Sequence, residues 1–225
     1  EIMGCKESSF DRVCQNIIDM VEIKKRDNLD VTIGMQMVLM PVDGDQIIPY
    51  AKLGKKLRPD YAIIKHCSDN EDGGLGIDYK EYDKLHSLLK KAENYSDEKY
   101  KVAIKWSKIK DKGKRKYQRC FGAPFMIQIS GSGLVAPCGM LFNEKYKKFH
   151  IGNIVDTRFK DIWNSDQYWE VMNYLASPAF NAQKMCGSLC LQHKVNESLD
   201  SHIKRQIDLT KSINNSKKPQ HINFI

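Results

Sequence analysis

The chain has 225 residues, a length that allows one or two domains with enough apolar sequence to fill a core. Hydrophobic residues make up 41% of it, and the mean hydropathy of -0.52 is typical of a globular protein in water. No apolar stretch approaches the ~20 residues of a membrane-spanning helix, and no signal peptide is visible. We therefore expect a cytoplasmic protein without a membrane partner. Because the first residue is Glu1 and not Met, we expect the native start to lie elsewhere.

The net charge of +8 permits an anionic partner without requiring one. The most basic stretch is residues 108–119, KIKDKGKRKYQR. It contains one aromatic residue and no nucleic-acid-binding motif, so it indicates a solvated linker and not a nucleic-acid contact.

The first hundred residues alternate between helical and extended patterns. Helices are predicted over 9–25, over 46–57 and from Asp78 onward, and strands over 31–40 and 61–65. This alternation predicts an α/β fold with a parallel sheet. The strand at 31–40 is strongly apolar, interrupted only by Thr32 and Gln36, which favours burial on both faces. Two strands are too few for three helices, so the segment is expected to be the trailing part of a larger α/β domain.

The first helix has a stripe of apolar residues at helical spacing. The stripe consists of Phe10, Cys14, Ile17, Ile18 and Val21. We therefore expect Cys14 to be buried as a small apolar side chain.

After residue 119 the pattern changes to alternating residues separated by turns. Pro124–Ser130 and Leu134–Cys138 predict a β-hairpin closed by Gly131–Gly133. Closing this hairpin would bring Cys120 and Cys138 near each other. Short amphipathic helices are predicted over 159–163 and 167–175.

Four of the seven cysteines, at 120, 138, 186 and 190, form a set in the second half of the chain. Four thiolates can hold either a tetrahedral Zn²⁺ or an iron–sulfur cluster. Their intervals of 17, 47 and 3 residues contain no C-x2-C knuckle of the kind that structural zinc sites use. A non-catalytic four-cysteine zinc module that binds a partner remains the alternative.

The arrangement Cys120-x12-Gly133-x4-Cys138 resembles the opening of the SPASM and twitch domains that follow the barrel in many radical S-adenosylmethionine (SAM) enzymes. The elements GLVAPC at 133–138, HIGNI at 150–154 and FKDIWNS at 159–165 carry the same resemblance. The full SPASM pattern has more cysteines near its end than Cys186 and Cys190. The resemblance therefore implies the shorter twitch version, with one auxiliary [4Fe–4S] cluster held by Cys120, Cys138, Cys186 and Cys190.

The resemblance also implies an architecture. Residues 1–107 correspond to the C-terminal part of a partial (β/α)6 TIM-like barrel, with 31–40 as its fifth strand and 61–65 as its sixth. Residues 108–119 are the basic linker, 120–200 a small α+β twitch/SPASM domain with a β-hairpin and short helices, and 201–225 a polar basic tail.

The implied activity is a SAM-dependent radical oxidation. In such enzymes a first [4Fe–4S] cluster, held by C-x3-C-x2-C, reduces SAM, and the auxiliary cluster accepts or relays an electron. No C-x3-C-x2-C occurs here, so we expect the chain to be the C-terminal portion of a longer oxidoreductase and inactive alone. The expected substrate is a small carbohydrate or aminocyclitol, or a ribosomal peptide. The expected reductant is a flavodoxin or ferredoxin.

Gln36 and Lys65 face the barrel interior in this interpretation and could bind SAM or substrate. The alternatives are a strand hydrogen bond for Gln36 and a surface salt bridge for Lys65. Trp163 and Trp169 are expected in the core of the small domain. His193 is a possible spare ligand.

Overall fold

The computed structural model describes residues 8–69, 72–188 and 190–210. Cys5 and residues 211–225 of the predicted tail lie outside these ranges. The chain divides into two compact units, one drawn from Glu1–Cys67 and Ile77–Lys112 and the other from Ser68–Gly76 and Gly113–Ile225. Within the described ranges, no helix has the length and apolar character needed to cross a membrane.

The first unit is an α/β structure, as predicted. Its elements are α1 (Ser9–Arg26), β1 (Gly34–Leu39), α2 (Ile47–Leu57), β2 (Tyr61–His66), α3 (His86–Glu93), β3 (Lys101–Ile104) and α4 (Trp106–Asp111). The three strands are parallel in the order β1-β2-β3, and Gln36 pairs with Ile63, which pairs with Ala103. Short 3₁₀ helices precede α2 and α3, so the helix expected from Asp78 becomes α-helical only at His86.

Strand β3 was not predicted from the sequence. It is only four residues long, and only Val102 and Ile104 are buried. So short a run gives little alternation to recognise. The predicted linker at 108–119 begins inside α4, whose Ile109 is buried in the first unit.

One face of the parallel sheet carries the core of the first unit. Leu39, Ala62 and Ile64 pack there against α2 and α3. Two buried tyrosines form hydrogen bonds from their hydroxyl groups to the backbone of this core. Tyr82 donates to the carbonyl of Leu39 at 2.6 Å, and Tyr100 donates to the carbonyl of Ala51 at 3.1 Å.

The opposite face of β1 is open, so the prediction that this strand is buried on both faces is wrong. Val38 is 49% exposed and Gln36 is also exposed. Alternating side chains point to opposite faces of a sheet, and α2 and α3 cover only the other face. Apolar side chains of β1 on this face therefore stay exposed in the part of the chain that the structure describes.

The apolar stripe of α1 is only partly buried. Val21 is its only buried residue, Phe10 is 62% exposed and Cys14 is half-buried. An apolar stripe indicates a helix face that can be buried, but the burial itself needs a second surface. The helix bounds were predicted to within one residue.

The second unit combines a small antiparallel sheet with short helices, as predicted. Its strands are β4 (Gln128–Ile129), β5 (Leu134–Ala136) and β6 (Gly152–Asn153), and its helices are α5 (Phe159–Trp163), α6 (Asp166–Ala176), α7 (Ala182–Met185) and α8 (His193–Ile203). The predicted hairpin is confirmed as β4–β5, with Gly133 at a positive φ of 82° in its turn. Strand β6 adds a third strand that was not predicted.

The core of the second unit lies between this sheet and α6. Val135, Ile162 and Leu175 are buried there, and Trp163 packs against them. Trp169 is 49% exposed, so its predicted core position is wrong. It lies one residue after the buried Tyr168 and faces away from the core side of α6.

Candidate metal centre

The four cysteines at 120, 138, 186 and 190 lie in the connecting segments of the second unit, each beside a different short element. Cys120 precedes a short 3₁₀ turn, and Cys138 follows β5 by two residues. Cys186 directly follows α7, and Cys190 lies shortly before α8. All four line a single cavity of about 70 Å³, which is room for several water molecules. The fold therefore brings together all four residues that the sequence predicted as metal ligands.

The rest of the cavity wall is mostly apolar. It includes Phe149, Leu175, Phe180, Ala182 and Met185. Such a wall excludes water and strengthens electrostatic interactions inside it. A charged group held by the four cysteines would thus be strongly influenced by the few polar groups around it.

The cysteines affect one another electrostatically. The pKa of Cys186 is raised to about 12, mainly by burial; the nearby Arg115 lowers it, and the neighbouring Cys120, Cys190 and Cys138 raise it. Burial likewise raises the pKa of Cys120, with Cys190 and Cys138 adding to it. Four thiolates in one apolar cavity repel each other unless a cation joins them. Thiolate is also the form that binds metals, so the donor set fits a thiolate-bound metal group.

The four cysteine sulfurs are not grouped as closely as the ligands of a single metal ion. Among the described residues, no three of these thiol sulfurs all lie within 4.8 Å of one another. A tetrahedral Zn²⁺ with Zn–S bonds of ~2.3 Å holds its sulfurs about 3.8 Å apart. A cluster of several irons and sulfides separates its thiolates more widely.

Two side-chain amides contact Cys120. Asn196 donates from Nδ2 to the Cys120 sulfur at 3.4 Å, and the Ala123 backbone N–H also bonds to this sulfur. The Cys120 thiol in turn donates to Oε1 of Gln192 at 3.6 Å. Both amides belong to the start of α8 and are buried.

The loop from Cys186 to Cys190 is held from two sides within the second unit. Arg115 donates to the carbonyl oxygens of Cys186 and Gly187. On the other side, Ser188 bonds to the backbone of Asp69. These bonds fix the backbone that carries two of the four cysteines.

Tyr117 lies between Cys190 and His193. Its hydroxyl is 3.6 Å from the Cys190 sulfur and 3.2 Å from Nδ1 of His193. Nε2 of His193 lies 3.4 Å from Glu197. Burial and the nearby Cys190 raise the pKa of Tyr117, which keeps its hydroxyl protonated. The predicted spare ligand His193 is thus bonded to Tyr117 and Glu197 beside the cavity.

Sequence reasoning missed the polar residues around the cysteines. Arg115 and Tyr117 were assigned to a solvated linker, yet Tyr117 is only 1% exposed. Gln192 and Asn196 could have been found from the sequence, because they lie two and six residues after Cys190 and residues four apart share one helix face. The contacts of Asp69 could not be found from the sequence, because its partner lies 119 residues away.

The predicted cofactor-binding residues Gln36 and Lys65 lie in the first unit. In the β1–β2 register Val38 pairs with Lys65 and Gln36 with Ile63, so Gln36 and Lys65 share the open face of the sheet. Gln36 is exposed and Lys65 is half-buried. Their role in cofactor binding stays a prediction.

The family comparison agrees with the site. Residues 120–191 match the model of the SPASM iron–sulfur cluster-binding domain, and this range contains all four cysteines. No curated protein sequence matches the chain.

Two solved structures show a weak likeness. A crystal structure of BtrN in complex with AdoMet and 2-DOIA is 13% identical, and the alignment covers 77% of this chain and 78% of that one with a TM-score of 0.30. A crystal structure of selenomethionine BtrN in an open conformation is 15% identical, covering 72% and 71% with a TM-score of 0.24. Scores this low carry no argument about this chain. The family match covers the cysteine-containing segment alone, and it confirms the resemblance seen in the sequence: residues 120–191 are similar to SPASM iron–sulfur cluster-binding domains.

Proposed function

We propose that the chain is part of a radical SAM enzyme, and that its SPASM domain holds one auxiliary [4Fe–4S] cluster through Cys120, Cys138, Cys186 and Cys190. The observation that carries this proposal is the meeting of these four thiols in one mostly apolar cavity. The cluster would accept or relay an electron during the SAM-dependent oxidation of a substrate. The alternative zinc module would need the four sulfurs closer together, since in the described part of the chain no three of them lie within 4.8 Å of one another.

The residues around the cavity suit this role. Phe149, Phe180 and Leu175 exclude water from the thiolates, and Arg115 places a positive charge beside Cys186 and Cys190. An iron–sulfur cluster supplies a one-electron redox centre, whose potential depends on burial and on hydrogen bonds to its sulfurs. The protein's contribution is to orient the ligands and set that environment.

The first unit supplies the proposed barrel portion. Parallel strands of this kind occur in a partial TIM-like barrel; β1 and β2 would be its fifth and sixth strands, and β3 would be a strand beyond the predicted six. The open sheet face with Gln36 and Lys65 would then face the barrel interior. There these two side chains could contact SAM or an anionic group of the substrate.

The remaining parts of the proposal follow from the domain type. The substrate is a small carbohydrate, an aminocyclitol or a ribosomal peptide. The reductant is a flavodoxin or ferredoxin, and the enzyme works in the cytoplasm. A C-x3-C-x2-C motif belongs to the same enzyme, so the gene sequence upstream of Glu1 should encode it. An upstream sequence without that motif contradicts the radical SAM part of the proposal.

Anaerobic reconstitution tests the cluster directly. With iron and sulfide, the purified chain should turn brown and bind about four irons and four sulfides. Cys138→Ser should lose the colour and most of the iron. Cys67→Ser is the matched control, because Cys67 is a half-buried cysteine of the first unit and does not line the cavity. Uptake of one zinc with no iron, or equal iron binding by Cys138→Ser and wild type, contradicts the proposal.

A further inference from the structure

We infer that Asn196 and Gln192 are positioning residues with opposite effects on the cluster. Asn196 would donate a hydrogen bond to the ligated Cys120 sulfur and raise the reduction potential. Gln192 would present its carbonyl oxygen to the same sulfur and lower it. This inference rests on the proposed function, because it concerns the group that Cys120 helps to hold.

The orientation of the Asn196 amide is fixed by its other hydrogen bond. Asn196 is fully buried, and its Oδ1 accepts from the backbone N–H of Gly122 at 2.7 Å. An N–H cannot donate to the amide nitrogen, so the Nδ2 end must face the Cys120 sulfur, where it lies at 3.4 Å. An amide held in this way donates to the sulfur whether the sulfur is a thiol or a metal-bound thiolate.

The backbone beside Cys120 is shaped to allow this approach. A Cβ atom added at Gly122 would lie 3.1 Å from Cβ of Gln192 and 3.3 Å from both Cγ and Nδ2 of Asn196. These contacts are tighter than a side chain normally tolerates, so a glycine at this position lets the Cys120 loop lie directly on α8. The two amides reach the sulfur because of that contact.

The orientation of the Gln192 amide is fixed in the opposite sense. Its Nε2 donates to the carbonyl oxygens of Met126 at 2.9 Å and Pro137 at 2.8 Å. Both protons of the amide group are thereby used, so Oε1 is the end that faces the Cys120 sulfur. A thiol can donate to this oxygen, but a ligated sulfur has no proton to give.

These two orientations predict opposite electrostatic effects on a cluster. A hydrogen bond to a ligating sulfur withdraws negative charge, which stabilises the reduced form and raises the potential. A carbonyl dipole with its negative end toward the sulfur destabilises the added electron. Inside an apolar cavity both effects are weakly screened.

The test compares reduction potentials of the reconstituted protein, measured by anaerobic redox titration with electron paramagnetic resonance. We expect a lower potential in Asn196→Leu and a higher potential in Gln192→Met, with iron content unchanged in both. Asn153→Leu is the matched control. It removes an amide that bonds to the backbone at Ser132 and Val155, away from the cysteines, so its potential should equal that of wild type.

The outcomes separate this inference from the proposed function. Shifts of the same sign in the two amide variants, or shifts no larger than that of the control, overturn the inference while leaving the cluster in place. If either amide variant loses iron, the potential is measured in Gly122→Ala instead. This variant displaces α8 from Cys120 and keeps both amides. Gly122→Ala should change the potential, and an unchanged potential overturns the inference. A wild-type chain that binds no iron overturns the proposed function and this inference with it.

Discussion

Ser188 and Asp69 are joined by three hydrogen bonds. The Ser188 hydroxyl accepts from the Asp69 backbone N–H at 2.7 Å and donates to the Asp69 carbonyl at 3.0 Å, and the Ser188 N–H donates to the same carbonyl at 3.2 Å. Ser188 lies between Cys186 and Cys190. This contact therefore fastens the loop that supplies two of the four thiols.

The first prediction concerns retention of the cluster in Ser188→Ala. The variant loses two of the three hydrogen bonds, worth about 2 kcal/mol together. We expect full loading with iron but roughly tenfold faster release to a chelator, followed by the loss of visible absorbance. Ser177→Ala is the control, because Ser177 makes two local hydrogen bonds at the end of α6. Equal release rates in Ser188→Ala and wild type would contradict the prediction.

A second prediction concerns the charge of Arg115. Its guanidinium group lies beside Cys186 and Cys190, where it offsets the negative charge of ligated thiolates. Arg115→Met should lower the reduction potential of the cluster and speed the release of iron. Arg115→Lys keeps the positive charge, so it should lower the potential less. Arg119→Met removes the same charge from an exposed position and should change the potential little. A potential in Arg115→Met equal to that in Arg119→Met would exclude a specific role for this charge.

A third prediction concerns the stability of the first unit below neutral pH. Burial lowers the pKa of His66, which is 4% exposed and bonds through Nδ1 to the carbonyl of Cys67 at 2.7 Å. Because the unfolded chain takes up this proton near pH ~6.5 and the folded chain does so only at lower pH, acid favours unfolding. The contribution of His66 is fully present above pH ~6.5 and is lost as the pH falls through the folded pKa.

Urea unfolding checks this pH dependence. Trp106 fluorescence reports on the first unit once Trp163 and Trp169 are replaced by Phe. The urea midpoint should fall between pH 7 and 5, and His66→Gln should reduce that fall, since glutamine does not titrate. If the urea midpoint falls equally with pH in His66→Gln and in wild type, other titrating groups cause the pH dependence.

A fourth prediction reverses the usual effect of an alanine in a helix. Alanine normally stabilises a helix interior by about 1 kcal/mol relative to glycine. At Gly54 in α2, however, an added Cβ would lie 2.1 Å from Oη of Tyr100, which is bonded to Ala51 in the core. We expect Gly54→Ala to destabilise the first unit by about 1–3 kcal/mol in urea unfolding. Gly131→Ala should be close to neutral, because nothing lies within 4 Å of the added Cβ. A stabilised Gly54→Ala would show that Tyr100 moves aside freely.

The sequence predicted the elements that have strong local patterns. The periodicity of α1, the glycine turn of the hairpin at Gly133, and the apolar run of β2 all indicated the observed elements within a few residues. The meeting of the four cysteines was predicted from spacing and resemblance together. The predicted hairpin brought Cys120 and Cys138 together, and the resemblance added Cys186 and Cys190 to them.

The missed features depend on contacts between distant parts of the chain. Strand β3 forms because β2 provides an edge to pair with, and its own four residues carry little signal. Arg115 lies in a basic stretch that reads as solvated, yet it turns inward to the carbonyls of Cys186 and Gly187. Local charge patterns do not contain such partners, so the surroundings of the site required the structure.

The strands of the second unit are only two or three residues long, and its cysteines are spread from Cys120 to Cys190. A metal group bound to all four would tie distant loops together, much as a disulfide does, and would restrict the unfolded chain most strongly. The same bonds would then both hold the redox group and stabilise the folded domain. Oxidative loss of the group by oxygen would therefore also lower the stability of the domain and expose its loops to proteases.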